Sequence, residues 1–332
     1  MKRLFLKTLV AAVALAAAGI AQAQTRTIKF ANQNAKGHPV VLGMEKFAEL
    51  VDQKSGGKLK VQVFPGGALG SDQANVSALQ GGTLEMASMN SGIFASLVKD
   101  FAIYDFPFLF GNPREADAIV DGAFGRNLHA KLEDKGLVGL GYYELGFRHI
   151  TNSRRPITKV EDIAGLKLRV IPNPINVDWV TALGANPTPL PFPELYAALE
   201  QKAVDGQENP VATIKGAKLF EVQKFMTLTN HQYNPQSIVI SKKFWDTLSP
   251  ADRKVLQDAA TESIGYQRTQ SRAALQSGLE DLKKGGLQVN ELPAAEVNKL
   301  REKMKPVIAK HSATVGEATV QTMMAELARL RR

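Results

Sequence analysis

Arg169 is the residue whose chemistry connects most readily to a ligand. It lies in the segment GLKLRVIPNP, in which apolar residues at 166, 168 and 170 alternate with Lys167 and Arg169. This period of two predicts a short half-buried β-strand. A planar guanidinium group matches the two oxygens of a carboxylate, and a strand would hold it rigidly. Two interpretations follow: an arginine on a solvated strand surface, or a binding group for a carboxylate.

A second arginine follows a glycine-rich apolar segment. The segment GLVGLGYYEL predicts a strand, and Gly146-Phe147-Arg148 comes directly after it. Ligand contacts in α/β proteins concentrate at the carboxyl ends of strands. Arg148 is therefore a candidate for contacting an anionic ligand, with an exposed loop position as the alternative.

The segment NPTPLPFPELYAALEQKAVDGQENP combines a rigid aromatic residue with a cluster of amides. Prolines at 187, 189, 191 and 193 force an extended chain and fix Phe192 between two locked residues. Such a ring suits a pocket wall, although a core position is the alternative. Further on, Gln207, Glu208 and Asn209 offer donors and acceptors for a polar ligand. The same residue types are also frequent in plain turns.

Motifs of common enzyme chemistries are absent from the sequence. No serine has glycines two residues to either side, neither HExxH nor GxxxxGK[ST] occurs, and the five histidines show no ligand-like spacing. The nearest approach to a dinucleotide loop is Gly139-Leu-Gly141, with Glu144 in place of the third glycine. A binding protein without cofactor or metal is therefore expected, and an exported enzyme acting on an organic acid is the alternative.

The first 23 residues have the three parts of a secretory signal peptide. Basic residues precede an apolar run at residues 9–20, which is too short to span a bilayer, and a small-residue cleavage site ends at Ala23. This predicts a bacterial periplasmic protein. The chain has no cysteine and a net charge of +9, of which the leader takes three positive charges and leaves +6. Because the basic residues are scattered, no nucleic-acid partner is expected.

Strand and helix patterns alternate beyond the leader, which predicts an α/β fold with largely parallel sheets. The longest helical segment begins after Ser249, a good N-cap, and continues to Lys284. About 35 residues at 1.5 Å each would span roughly 50 Å. The alternatives are one helix that spans two lobes, or two helices joined at Gly265 or Gly278.

Four segments, which include the stretches described above, carry a resemblance to a known family. They are KFAELVDQKSGGKLKVQVFPGGALGSD, GFRHITNSRRPITKVEDIAGLKLRV, ALGANPTPLPFPELYAALEQKAVDGQENP and LFEVQKFMTLTNHQYNPQ. With them, essentially the whole mature chain resembles the solute-binding proteins of tripartite ATP-independent periplasmic (TRAP) transporters, the dicarboxylate- and sialate-binding (DctP) type. The resemblance implies a two-lobed α/β periplasmic binding protein (Venus-flytrap) with a long helix spanning both lobes. Residues 24–147 plus 235–274 would form lobe I, and residues 148–234 plus 275–332 lobe II.

The resemblance also implies roles for the candidate residues. Arg169 would form a two-pronged salt bridge with the substrate carboxylate, and Arg148 and Asn209 would lie beside it. Phe192 would form a wall against the body of the substrate. Three neutral amides would contact the tail of the substrate: Gln33, Asn90 and Asn234.

The implied ligand is a small organic acid, delivered by a monomeric carrier to a small and a large membrane subunit. Neutral amides suit hydroxyl groups better than a second carboxylate. A sugar acid such as a hexuronate or aldonate is therefore expected, and a C4-dicarboxylate, which would require another cation, is the alternative. Sialate is disfavoured, because the family's sialate binders carry a carboxylate at the place of Asn90.

Overall fold

The computed structural model describes residues 25–332, and the predicted signal peptide at residues 1–23 lies outside the described residues. No helix within residues 25–332 combines the length and the apolar character needed to cross a membrane. The strands of the single sheet are β1 (Arg26–Ala31), β2 (Leu59–Phe64), β3 (Met86–Asn90), β4 (Leu137–Asn152), β5 (Lys167–Val170), β6 (Asn186–Pro189), β7 (Gly206–Asn209), β8 (Phe225–Ser241) and β9 (Gln288–Glu291).

Helices cover the sheet and connect most of its strands. They are α1 (Pro39–Ser55), α2 (Asp72–Gly81), α3 (Pro113–Asp121), α4 (Ala123–Ala130), α5 (Pro174–Ala182), α6 (Leu195–Glu200), α7 (Val211–Gly216), α8 (Lys242–Trp245), α9 (Pro250–Lys284), α10 (Ala294–Val315) and α11 (Glu317–Leu330). Several of these helices begin with a side-chain cap. Ser71 accepts a hydrogen bond from the N–H of Ala74 at the start of α2, and Ser249 accepts one from Asp252 at the start of α9.

The sheet is mixed, with the strand order β2-β1-β3-β8-β4-β7-β5-β6 and β9 beside β8. Strand β1 is parallel to β2 and β3, and β5 is parallel to β6 and β7. In the centre, β8 is antiparallel to β3 and β4, and β4 is antiparallel to β7. The predicted parallel pairing is therefore wrong for the centre of the sheet, because two long strands cross the molecule there in opposite directions.

Those two central strands are longer than the sequence pattern indicates. Strand β4 has 16 residues and β8 has 17, where the patterns predict shorter separate segments. Their pairing shifts register at three places along β4, near Gly141, Gly146 and His149. Gly141 and Gly146 have positive φ angles of 146° and 110°. These irregularities interrupt the alternation of side chains, so the sequence pattern of one long strand predicts two shorter strands.

Helix α9 is one continuous helix of 35 residues, as the longer of the two sequence interpretations predicts. It packs against α1 and β4 at one end and against α7 at the other. A Cβ atom on Gly278 would lie 2.8 Å from the Val211 side chain, whereas one on Gly265 would meet nothing within 4 Å. Gly278 therefore permits close approach of α9 and α7 and does not interrupt the helix.

Three hydrophobic clusters form the core of the two-lobed fold. One surrounds β1 and α1 and includes Phe30 and Phe47, and it is separate from another around α7 that includes Val211 and Ile214. The largest cluster contains residues from Ala31 to Leu327 and thus from both predicted lobes. The long helix α9 contributes residues to the first two clusters. The residue boundaries of the two lobes stay a prediction.

Candidate ligand-binding site

Arg169 lies on β5 between β7 and β6 and is almost completely buried, with 2 % of its surface exposed. Its Nε donates a hydrogen bond to the Leu190 carbonyl oxygen at 2.8 Å, and its Nη1 has no partner among the described residues. The guanidinium carbon lies 5.8 Å from the centre of the Phe192 ring. The solvated-strand interpretation is therefore wrong for Arg169, although it holds for its exposed neighbour Lys167.

Arg148 is also fully buried, but an acidic residue balances its charge. Its Nε and Nη2 donate to the carboxylate of Glu208, and Nη2 also donates to the Glu208 carbonyl oxygen at 2.5 Å. His231 Nε2 lies 3.3 Å from the same carboxylate. Burial alone would raise the pKa of Glu208, but the charge of Arg148 and the contact with His231 lower it to about 2. Nη1 of Arg148 is buried without a partner in residues 25–332.

The amide cluster is a strand and not the turn that its composition predicts. Residues 206–209 form β7, all four are buried, and β7 pairs with both β4 and β5. Arg148 likewise lies within β4 and not after it. Asn209 Nδ2 donates to Gln207 Oε1, and Gln207 Nε2 donates to Thr151 Oγ1 at 2.8 Å. Since an amide nitrogen has two hydrogens, Asn209 keeps a second donor for a ligand.

One cavity brings together six of the seven predicted site residues. Its volume is about 480 Å³ when open solvent at its mouth is counted. The predicted residues that line it are Gln33, Asn90, Arg148, Arg169, Phe192 and Asn209. Three amide atoms of its lining residues are buried without a partner in the described chain: Gln33 Oε1, Asn34 Nδ2 and Asn90 Nδ2. The cavity thus offers one amide acceptor and two amide donors to a polar ligand in addition to its two arginines.

The seventh predicted residue, Asn234, does not line this cavity. It is fully buried on β8, and its Nδ2 donates to Asp105 Oδ1 at 2.9 Å. Asn173 Nδ2 donates to the other oxygen of Asp105 at 2.7 Å. Asn234 Oδ1 is buried without a partner in the described chain, so a contact with the substrate tail stays a prediction, although Asn234 lies outside the lining of this cavity.

The lining of this cavity also contains five polar residues that the sequence does not predict: Asn34, Asp72, Gln73, Thr213 and Gln236. Asp72 is the first residue of α2, and its Oδ1 is buried without a partner among the described residues. Burial raises the pKa of Asp72 to about 7, and the positive charge of Arg169 only partly offsets the rise. The helix-start pattern Ser71-Asp72 predicts a cap and gives no sign that the carboxylate faces a ligand.

The two arginines of the site differ in their contact with acidic groups. Arg148 forms an ion pair with Glu208, whereas Arg169 has a backbone carbonyl as its one hydrogen-bond acceptor in the described chain and interacts with Glu208 and Asp72 through charge alone. Burial lowers the pKa of Arg169 to about 10, so it stays protonated at neutral pH. A small anion that accepts hydrogen bonds from Nη1 of both arginines fits this arrangement.

A larger cavity, of about 1310 Å³ when open solvent at its mouth is counted, lies between α4, β4 and α9. Two of its charged groups are paired with each other, since Arg268 donates to both oxygens of Asp121 at 2.6 and 2.8 Å. Residues 25–332 also contain no group of side chains suited to hold a metal ion. The smaller cavity, with its buried unpartnered nitrogens, is the better candidate for a ligand.

The comparisons with known proteins agree with this geometry. Residues 30–314 match the profile of the family described as "Bacterial extracellular solute-binding protein, family 7" (DctP). The chain belongs to this family. The 2,3-diketo-L-gulonate-binding periplasmic protein YiaO of Escherichia coli (strain K12) is 38% identical over 83% of this chain and 84% of its own length. The C4-dicarboxylate-binding periplasmic protein DctP of Rhodobacter capsulatus is 34% identical over 96% of both chains.

Solved structures of the family have the same fold. The sugar acid binding protein DctPAm of Advenella mimigardefordensis, in complex with galactonate, is 42% identical with a TM-score of 0.91 over 92% of this chain and 99% of its own. A TRAP periplasmic solute-binding protein of Ochrobactrum anthropi is 54% identical with a TM-score of 0.83, over 93% and 97% of the two chains. The resemblance to TRAP solute-binding proteins and the two-lobed fold are thus confirmed, and the family consists of binding proteins and not of enzymes.

Proposed function

We propose that this TRAP solute-binding protein captures a sugar acid, an aldonate or a hexuronate, by its carboxylate. The observation that carries the proposal is the buried, protonated Arg169, whose Nη1 has no partner in the described chain and lies in the same cavity as the free Nη1 of Arg148. A bound carboxylate would satisfy both donors and balance the charge of Arg169. Asn209 would donate a further hydrogen bond, and Phe192 would cover one side of the ligand.

The rest of the cavity favours hydroxyl groups over a second carboxylate. Of the described residues that line it, Arg148 and Arg169 are the only cationic ones. A dicarboxylate would leave its second charge without a cation. Gln33 Oε1 and Asn90 Nδ2 instead offer an acceptor and a donor, and Asp72 Oδ1 offers a further acceptor. This combination suits a polyol chain, whose hydroxyls both donate and accept.

Relatives with known ligands support the same choice. The galactonate-bound protein is 42% identical to this chain, and a Polaromonas protein bound to D-erythronate is 36% identical. Proteins with bound succinate, from Sulfurospirillum deleyianum and Shewanella oneidensis, are 30% identical. A C4-dicarboxylate is the second candidate because the fold accommodates it in those relatives.

The cellular setting belongs to the same proposal. The leader predicts export, and the relatives from E. coli and R. capsulatus are periplasmic proteins. We infer that the mature chain acts in the periplasm as a monomer and delivers its ligand to the small and large membrane subunits of a TRAP transporter. Closure of the two lobes around the ligand would be the signal that the membrane subunits read.

A thermal-shift screen of the mature protein tests the substrate class. The ligands are D-galactonate, D-galacturonate, D-erythronate, 2,3-diketo-L-gulonate and succinate. A millimolar ligand with a micromolar Kd stabilises the folded state by about 4 kcal/mol, so a true ligand gives a clear rise in Tm. We expect sugar acids to raise the Tm more than succinate does. A rise with succinate alone would contradict the sugar-acid proposal, and no rise with any acid would contradict carboxylate capture.

A further inference from the structure

His38 lies beside Thr213, a lining residue of the ligand cavity, and itself lines a second cavity. It precedes α1, and its ring is buried, with 4 % of its surface exposed. Nδ1 accepts a hydrogen bond from the backbone N–H of Val40 at 3.1 Å and so caps the helix. Pro39 and Lys215 line the second cavity as well. The ring is thus held in one orientation by the start of α1.

The capping hydrogen bond determines which nitrogen of His38 carries the proton. Burial lowers the pKa of His38 to about 3, so the ring is neutral. A nitrogen that accepts a hydrogen bond carries no proton, and the proton of the neutral ring is therefore on Nε2. Nε2 lies 3.2 Å from the hydroxyl oxygen of Thr213. His38 donates, and Thr213 accepts.

The hydroxyl hydrogen of Thr213 is left without an acceptor. Thr213 lies on α7, four residues after Asn209, and has 3 % of its surface exposed. Its contact with His38 is its one side-chain hydrogen bond within residues 25–332. Thr213 also lines the cavity that contains Arg148 and Arg169. A buried hydroxyl that accepts from His38 keeps a second lone pair, but its hydrogen is the donor that would stay buried without a partner unless a ligand oxygen accepts it.

We propose that Thr213 is a further ligand-binding residue and that His38 is the positioning residue that makes it a donor. The chain of hydrogen bonds runs from the Val40 N–H through His38 to Thr213 and ends on a ligand oxygen. It favours an acceptor at that point, such as a carboxylate, carbonyl or hydroxyl oxygen, over an ammonium or amide N–H, which would leave the buried hydroxyl hydrogen unpaired. The inference rests on the proposed function, since it assumes that an organic acid occupies this cavity.

The same hydrogen bond joins the two lobes. Val40 belongs to the hydrophobic cluster around β1 and α1, whereas Val211 and Ile214, beside Thr213, belong to the separate cluster around α7. His38 and Thr213 are 175 residues apart in the chain. Separation of these clusters would break the contact and free the Thr213 hydroxyl to rotate. Thr213 would therefore be directed at the ligand only when the lobes are together.

Four variants test the inference by isothermal titration calorimetry with D-galactonate and D-galacturonate. Thr213→Val keeps the shape and removes the hydroxyl, and Thr213→Ser keeps the hydroxyl. His38→Asn keeps a good helix cap but is too short to reach Thr213. The fourth is the double variant T213V/H38N. His38→Ser is a second capping variant for use if H38N lowers the Tm of the free protein.

We expect T213V and H38N each to raise Kd about fivefold to tenfold, which corresponds to the loss of one hydrogen bond. T213S should stay within about twofold of the wild type, and the double variant should bind no more weakly than either single variant, because both remove one coupled interaction. Unchanged affinity in T213V, or additive losses in the double variant, would overturn the inference while leaving the proposed function intact. A wild-type protein that binds no organic acid would overturn both.

Discussion

At the scale of single residues, the two buried arginines have different tasks. Arg148 is held by Glu208 and is part of the protein's own charge balance. Arg169 has a backbone carbonyl as its one hydrogen-bond acceptor in the described chain. A buried cation without an anion close by is costly, and breaking an existing buried pair is costly as well. No carboxylate is hydrogen-bonded to Arg169 in the described chain, and a carboxylate ligand supplies this contact, so Arg169 should dominate the affinity.

The substitution Arg169→Lys tests this assignment directly. Lysine keeps the charge but loses the planar fork, so it cannot make two parallel hydrogen bonds to a carboxylate. We expect Kd for the best sugar acid to rise more than tenfold, equivalent to about 1.4 kcal/mol or more. Arg154→Lys is the matched control, because the side chain of Arg154 is 64% exposed. Calorimetry showing wild-type affinity in R169K would refute the carboxylate contact.

Asp72 should determine which acids are accepted. Its carboxylate lies in the cavity near its titration point, with a pKa of about 7. It can accept from a hydroxyl, and in its charged form it repels a second carboxylate. Asp72→Asn should therefore weaken galactonate binding severalfold. At pH 8 it should also reduce the ratio of the Kd for succinate to the Kd for galactonate. The selectivity ratio from competition titrations measures this, and an unchanged ratio would place Asp72 outside the ligand contacts.

Arg169 and Phe192 are easier to identify as site residues from the sequence than Asp72 or Thr213. An arginine in a short apolar strand and an aromatic ring between prolines are unusual enough to stand out in a sequence. An aspartate after a capping serine and a threonine in a short helix have ordinary structural explanations. Asn234 is a case of the opposite kind, because the sequence suggests this amide as a contact, whereas in the structure it does not line the cavity and its Nδ2 donates to Asp105. Which side of a buried strand faces a cavity depends on packing partners far away in the chain.

At the scale of elements, the contact of α9 with α7 depends on the absence of one side chain. Gly278→Ala should lower stability, since its Cβ would lie 2.8 Å from the stiff Val211 side chain. Gly265→Ala makes the same change in the same helix where a Cβ meets nothing within 4 Å. It should raise stability by about 0.5–1 kcal/mol through helix propensity. Urea unfolding of both variants provides the comparison, and equal effects would contradict the close-approach explanation.

The Arg148–Glu208 pair connects β4 to β7 and should make stability depend on acid pH. Because the pKa of Glu208 is lowered to about 2 in the folded protein, the pair stabilises the protein fully above about pH 4.5 and loses this effect as pH falls towards 2. Glu208→Gln should cost about 3–5 kcal/mol at pH 7, because it leaves a buried charge without a partner. The difference from the wild type should shrink at pH 3. Thermal melts at both pH values test this, and a difference independent of pH would contradict it.

The elements themselves were predictable to different degrees. Helix α9 has a capping serine, a first-turn proline and a double glycine beyond its end, and the predicted bounds agree with Pro250–Lys284. Strands β4 and β8 were not predictable as single strands, because irregular register at Gly141 and Gly146 interrupts their alternation. The pairing of β3 with β8 joins residues about 150 positions apart, and no local sequence pattern predicts that the two strands are antiparallel.

At the scale of the whole molecule, ligand binding should change the shape of the protein. The proposed ligand contacts come from α2 and β3 on one side and from β5, β7 and α7 on the other, so a bound acid bridges both sides. Binding should therefore populate the compact state and reduce the radius of gyration in small-angle scattering. The R169K variant, at the same ligand concentration, should show a smaller reduction. An unchanged radius at saturating ligand would contradict closure by bridging.

The central position of β8 also governs the order in which the chain can fold. Residues 86–90 of β3 hydrogen-bond to residues 236–240, so the sheet around β1 has an open edge until more than two thirds of the chain has been made. Contacts between residues so far apart in sequence make folding slow. The predicted leader would direct the chain across a membrane. A strand order that delays the native state during synthesis would then give an export pathway time to engage the unfolded chain.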